Sequence, residues 1–222
     1  PILSNKVGLN RFVWDMRHPS LPGIPTAYIE GSYRGHKAMP NMYLASLKLE
    51  NKTAEVSFKI LPNPLYDITK EEYLEIHQFK LITEANLRDM HNRVNQLKKI
   101  QEQLIKVIKE FPEEEKYMAL KTKGKTIIKQ LKSWDEDMVQ RKSKAYDDVE
   151  NFPNKFTAEY IFLMNQNDSG IPKLNSASKN RLDELNKEWM ILKSKSDELI
   201  ETIIPDYNKL LWDYGIGALN VK

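Results

Sequence analysis

The sequence predicts an α+β protein in two parts: a small β-sandwich short of strands over residues 1–64, and an antiparallel up-and-down α-helical bundle over residues 65–222. Three observations carry this reading. Turn-forming residues crowd the first part, where Pro19, Pro22, Gly23, Pro25, Gly31, Gly35 and Pro40 separate short segments. Those segments tend to alternate apolar and polar side chains, as strands with one buried face do. Beyond Pro62 and Pro64 the apolar residues instead recur every three or four positions over long distances, the period of a helix with one buried face.

In "LNRFVWDM", Leu9, Phe12, Trp14 and Met16 fall mostly on alternate positions, which predicts a strand with Phe12 and Trp14 as core anchors. Asn10 and Asp15 are then expected to satisfy backbone donors at turns and the strand end, and Arg17 to meet a carboxylate. The stretch "YLASLKLENKTAEVSFKIL" reads as a hairpin turning at Asn51 and Lys52, with Leu47 and Leu49 before the turn and Val56, Phe58 and Ile60 after it. About four strands in this part fall short of the roughly seven of a complete sandwich, so further strands are expected upstream of Pro1.

Thr69 with Glu72 three residues on forms a capping-box signal that opens the first helix. Leu87, Met90, Val94, Leu97, Gln101, Leu104, Ile108 and Phe111 then make one stripe until Pro112 stops it. A second stripe runs through Tyr117, Leu120, Gly124, Ile127, Leu131, Trp134, Met138 and Ala145. Phe-Pro breaks at Phe111 and Phe152 predict antiparallel neighbours. A shorter helix is expected over Lys155–Asn167, a loop over "NDSGIPKLNSAS", and a last long helix through Leu182, Leu185, Trp189, Leu192, Leu199 and Ile203 that Pro205 kinks or ends. Tyr207, Leu210, Leu211 and Tyr214 mark a final short helix. An extended coiled coil that dimerises is the competing arrangement of these stripes.

Composition narrows the function classes. The 34 basic and 31 acidic residues leave a net charge of +3, too weak a field to argue for nucleic acid. The absence of Cys excludes disulfides, thiolate metal sites and a cysteine nucleophile. No apolar run approaches the roughly 20 residues that span a bilayer, so no membrane span is expected. The sequence starts at Pro1 without an initiator Met, which suggests a processed chain or a piece of a longer one.

No catalytic motif emerges. His18, His36, His77 and His91 are scattered, without a His-x-x-x-His pair, and no metal site or cofactor is expected. The carboxylate runs "PEEEK", "WDEDM" and "YDDVEN" fit polar helix faces and helix ends. "GSYRG" does not have the spacing of a nucleophile elbow, and "LKTKGKTIIK" lacks the upstream Gly of a phosphate loop, Ala119 standing in its place. Trp14, Tyr28, Tyr33 and Tyr43 could stack on sugar rings or pack a core. Core packing is the favoured reading, with Tyr33 the candidate ligand-facing aromatic.

The segments "GLNRFVWDMRHP" and "GSYRGHKAMPNMYLASLKLENKTAEVSFKILPNP" resemble the region that follows the propeller in bacterial BNR-repeat or sortilin-like glycosyl hydrolase proteins. Gly8, Asn10, Phe12, Trp14, Asp15 and Arg17 match its first element, Ala38, Pro40 and Tyr43 its second, and Asn63-Pro64 its third. Asn41 stands where that pattern usually has Gly, and it is expected to take the left-handed backbone in Gly's place. The "NFP" turn at Asn151–Pro153 and the "IPDYNKLL" segment extend the resemblance through the helical part. A shared W-D and G-x-Y pattern is also similar to the immunoglobulin-like domain of flagellar hook-capping proteins. The resemblance implies an immunoglobulin-like β-domain and a non-catalytic accessory region of an exported, extracellular or periplasmic protein. Any catalytic residues would lie in the propeller, and none carries over to these positions. The implied partners are that upstream β-propeller of the same polypeptide, another protein, or a glycan. A carbohydrate-binding module and a coiled-coil scaffold remain the alternatives.

Overall fold

The computed structural model describes residues 3–4 and 6–221, so the strands expected before Pro1 lie outside the described residues. Its spine is helix α1, Lys70–Glu110, about 60 Å long at the rise of an α-helix. Both bonds of the expected capping box are present. Thr69 Oγ1 accepts from the Glu72 amide at 3.2 Å, and Glu72 Oε2 accepts from the Thr69 amide at 2.9 Å. At the other end Phe111 is extended, as a residue before proline prefers, and the helix stops there.

The other helices pack along this spine. Helix α2 is Met118–Met138, α3 Phe156–Ser169, α4 Ser176–Glu198 and α5 Ile204–Asp213. Helices α2 and α3 lie against α1, α4 packs on α3, and α5 packs on α2. Leu87, Met90, Val94, Leu97, Gln101 and Leu104 are all buried, so the stripe read from α1 is the face that meets its neighbours. Several polar groups along these helix faces are paired. Trp134 Nε1 donates to the Leu192 carbonyl at 2.8 Å, and Arg93 on α1 holds Asp89 at 2.8 Å and Asp197 at 2.5 Å.

Two boundaries differ from expectation. Helix α2 ends at Met138, and Ala145 is exposed in the connection to α3, where Asp148 accepts from the amides of Lys144 and Ala145 in place of a continued helix. Pro205 neither ends the helix nor leaves a gap in it. The chain widens into a π-turn over Leu199–Ile203, and α4 continues through that turn into α5. The wider turn accommodates a residue that has no amide to donate.

The first part departs most. No immunoglobulin-like sandwich is formed by the described residues; the sheet is one antiparallel hairpin, β1 Asn41–Leu49 and β2 Lys52–Ile60. Its turn falls one residue earlier than expected. Glu50 takes the left-handed backbone at φ 50°, while Asn41 is ordinary strand. Residues 9–15 form no strand, because no neighbouring chain pairs with their backbone.

The segment from Arg17 to Ala38 forms a strap laid on the helices, stitched to itself by a bridge between Arg17 and Lys37. Leu21, Ile24 and Ile29 of the strap enter the same core as α1 to α4. The buried His91 bonds the Pro22 carbonyl through Nδ1 at 2.7 Å. The strap thus packs with the helices through these residues.

Helix α2 lies close against its neighbours at Gly124. A Cβ there would lie 2.5 Å from Tyr207 Oη and 2.6 Å from Ile108 Cδ1. The tyrosine cannot easily yield, since its hydroxyl donates to the Leu120 carbonyl at 3.1 Å. Gly124→Val is therefore expected to lower unfolding stability by about 2 kcal/mol or more in a urea titration.

Candidate functional site

Three histidines distant in sequence meet where the strap crosses α1. The His18 amide donates to the His36 carbonyl at 2.9 Å, the Leu21 amide to the Tyr33 carbonyl at 2.7 Å, and the Ala38 amide to the Met16 carbonyl at 2.8 Å. This close pairing requires Gly35, where a Cβ would run into the carbonyls of His18 and Pro19. The pairing stacks the His18 ring on His36, with centroids 4.0 Å apart and planes 13° from parallel.

Helix α1 presents the complementary side chains. His77, Lys80 and Glu84 are spaced three and four residues apart and so share one helix face. Glu84 Oε1 accepts from the His36 amide at 2.6 Å and from His36 Nδ1 at 2.8 Å. A carboxylate can only accept here, so it holds a proton on His36 Nδ1 and turns Nε2 away from itself. That Nε2 lies 2.9 Å from Nδ1 of His77.

Burial, followed by the charge of its neighbour His36, pushes the pKa of both His18 and His77 below the ordinary histidine value of 6.5. Burial alone would raise Glu84, but the hydrogen bonds from the His36 ring and amide outweigh it and hold the carboxyl below its ordinary value.

Beside the histidines, Asp168 at the end of α3 ties three elements together. Its carboxylate accepts from Arg17 Nη1 at 2.7 Å, from Lys80 Nζ at 2.9 Å and from the Lys37 amide at 3.2 Å. Burial pushes this acid upward, and the bonds from Lys80 and Arg17 prevail and keep it ionised. An open cavity of ≈ 220 Å³ lies between this network and the base of the hairpin. His36, His77, Lys80 and Asp168 line one part of it, and Tyr66, Tyr73 and Ile76 another.

The motif residues divide accordingly. Arg17 does find a carboxylate, Asp168, and Asp15 Oδ1 accepts from the Arg17 amide at 3.2 Å. Asn10 instead donates, to the carbonyls of Lys6 and Gly8, and Gly8 lies in an exposed bend. Phe12 is 55% exposed and anchors no core. Trp14 packs on Tyr43 and Phe58 and bonds the Arg17 carbonyl, while Tyr43 Oη donates to Met39 and Pro40 edges the cavity. Tyr33 packs half-buried on the helical core, 5.6 Å from the His91 ring. The meeting of His18, His36 and His77 was not visible in their spacing. Its one sequence signal is the polar trio His77, Lys80 and Glu84 at helical spacing on α1.

Fold and site together define a helical bundle crossed by a histidine-bearing strap, with a two-stranded arm at its side. No protein family, no curated protein and no solved structure matches the chain.

The Asp168 junction should carry stability in proportion to its burial. Asp168→Ala leaves the nearly buried Lys80 without its counter-ion and is expected to cost about 2 kcal/mol, discounted for the part that solvent reaches. Asp15→Ala, which removes the exposed pair with Arg34, is expected to leave the urea midpoint nearly unchanged.

Proposed function

We propose that this chain is a non-catalytic accessory and interaction module whose hairpin completes an immunoglobulin-like β-sandwich with strands of a β-rich partner. The partner is the propeller-bearing upstream part of the same polypeptide, in an exported bacterial protein of the glycosyl-hydrolase-like kind that the motif residues resemble. One observation carries this reading, the uncovered apolar face of the hairpin.

The register pairs Tyr43 with Phe58, Ala45 with Val56 and Leu47 with Ala54, so these side chains and Leu49 share one face. Leu47, Leu49 and Val56 are 54%, 66% and 63% exposed. Most of the opposite face is polar, with Ser46, Lys48, Thr53, Glu55, Ser57 and Lys59. Such one-sided alternation is the pattern of a sheet whose inner face meets another sheet about 10 Å away. Covering Leu47, Leu49 and Val56 would contribute about 5 kcal/mol together. A two-stranded hairpin is marginal alone, and a partner sheet supplies what it lacks.

The alternatives find less support. Trp14, Tyr43 and Phe58 pack on one another and Tyr33 packs on the helices, which weighs against a sugar platform. The α1 and α2 stripes are spent inside the bundle, which leaves them no seam for a coiled-coil dimer.

The test is a double variant, Leu47→Lys with Val56→Lys, prepared alongside the unaltered chain and mixed with the upstream part of the reading frame as a separate protein. The unaltered chain is expected to bind and the variant to bind at least about 100-fold more weakly, with the helical circular dichroism and thermal midpoint unchanged. Equal binding by both, or no binding by the unaltered chain, would contradict the proposal.

A further inference from the structure

We infer that His18, His36 and His77 form a three-histidine site for a divalent transition metal, Zn²⁺ in particular, with its open coordination position facing the cavity at the base of the hairpin. One ring nitrogen from each histidine lies within 4.8 Å of the others. Four-coordinate Zn²⁺ holds nitrogens at about 2.0–2.1 Å, which sets neighbouring ligands roughly 3.3 Å apart. His36 Nε2 and His77 Nδ1 are already 2.9 Å apart, so a shift of a few tenths of an ångström admits the ion between them.

The surroundings of these nitrogens fit the same role. His36 is buried, and Glu84 fixes its Nδ1–H, aiming Nε2 at His77. A carboxylate behind a histidine in this way is the usual support of a metal-bound imidazole, orienting the ring and raising its basicity. His18 is the adjustable member. It is half-buried, it stacks on His36, and among the described residues no hydrogen bond holds its ring, so it can swing out of the stack to direct a lone pair at the ion. Burial favours the neutral imidazoles that ligate metals, since it depresses His18 and His77. An all-imidazole set suits Zn²⁺, Cu²⁺ and Ni²⁺ rather than Mg²⁺ or Ca²⁺, which prefer oxygen ligands.

Three protein ligands leave the fourth position to water or to a ligand atom from the cavity, which His36 and His77 both line. The site stands on the histidine geometry alone and does not depend on the docking proposed for the hairpin.

The experiment uses the whole chain, freed of any affinity tag and stripped of metal with a chelator, at pH 7.5. Co²⁺ titration followed by visible absorption and Zn²⁺ titration by calorimetry should both saturate at one ion per chain, with Zn²⁺ bound more tightly than about 10 µM. His77→Gln and His18→Ala should each weaken binding at least about 10-fold, and Glu84→Gln by about 10- to 100-fold. Circular dichroism of each variant establishes that it is folded. Failure of the folded, unaltered chain to bind either ion at unit stoichiometry would overturn the inference. So would unchanged affinity in both folded histidine variants.

Discussion

The Asp168 carboxylate is the interaction on which the rest of this molecule depends. It stands at the end of α3 and collects Lys80 from α1, Arg17 from one side of the strap and the Lys37 amide from the other. A half-buried acid is unfavourable unless its charge is met, and here two cations and an amide meet it. With the strap fixed in this way, the three strap residues Leu21, Ile24 and Ile29 reach the helical core, and His36 is driven onto Glu84. The convergence of the histidines is thus a consequence of how the strap is held, and the hairpin that follows at Asn41 leaves the body in a fixed place.

The helical half was legible in the sequence because its signals are local. A capping box spans three residues, and a stripe such as Leu87 to Leu104 repeats often enough to leave one reading. The ends of α2 and of α3 were less legible. Ala145 continues the spacing of α2 although the chain has left the helix, and α3 runs on through Ser169, into what composition marks as loop. The segment before the strap departs from its reading for a different reason. Alternation of Leu9, Phe12, Trp14 and Met16 reports an extended backbone, and an extended backbone becomes a strand only when another chain segment lies beside it. The histidine site was hidden because its members come from the two sides of the strap and from α1, positions that no motif spacing relates.

The two halves of the molecule complete their packing differently. In the bundle, apolar faces are satisfied within the chain, and polar groups such as Trp134 and Arg93 find partners among them. The hairpin keeps full backbone pairing from Asn41 to Ile60 and yet leaves one whole apolar face open. Only its base, at Trp14, Tyr43 and Phe58, is covered by neighbours. A rigid body bearing an incomplete sheet is the physical basis for the accessory role proposed here, since the body sets where the sheet points and a partner sheet supplies its other half.

Native-state hydrogen exchange on the isolated chain separates these two halves most directly. The strap amides of His18, Leu21 and Ala38 bond across the strap, which is locked onto the core, and the account predicts that they exchange as slowly as amides in the middle of α1. The amides of the hairpin, from Met42 to Lys59, should exchange far faster, because a two-stranded sheet with an open apolar face unfolds locally. Strap amides that exchange as freely as those of the hairpin, or hairpin amides as protected as α1, would contradict it.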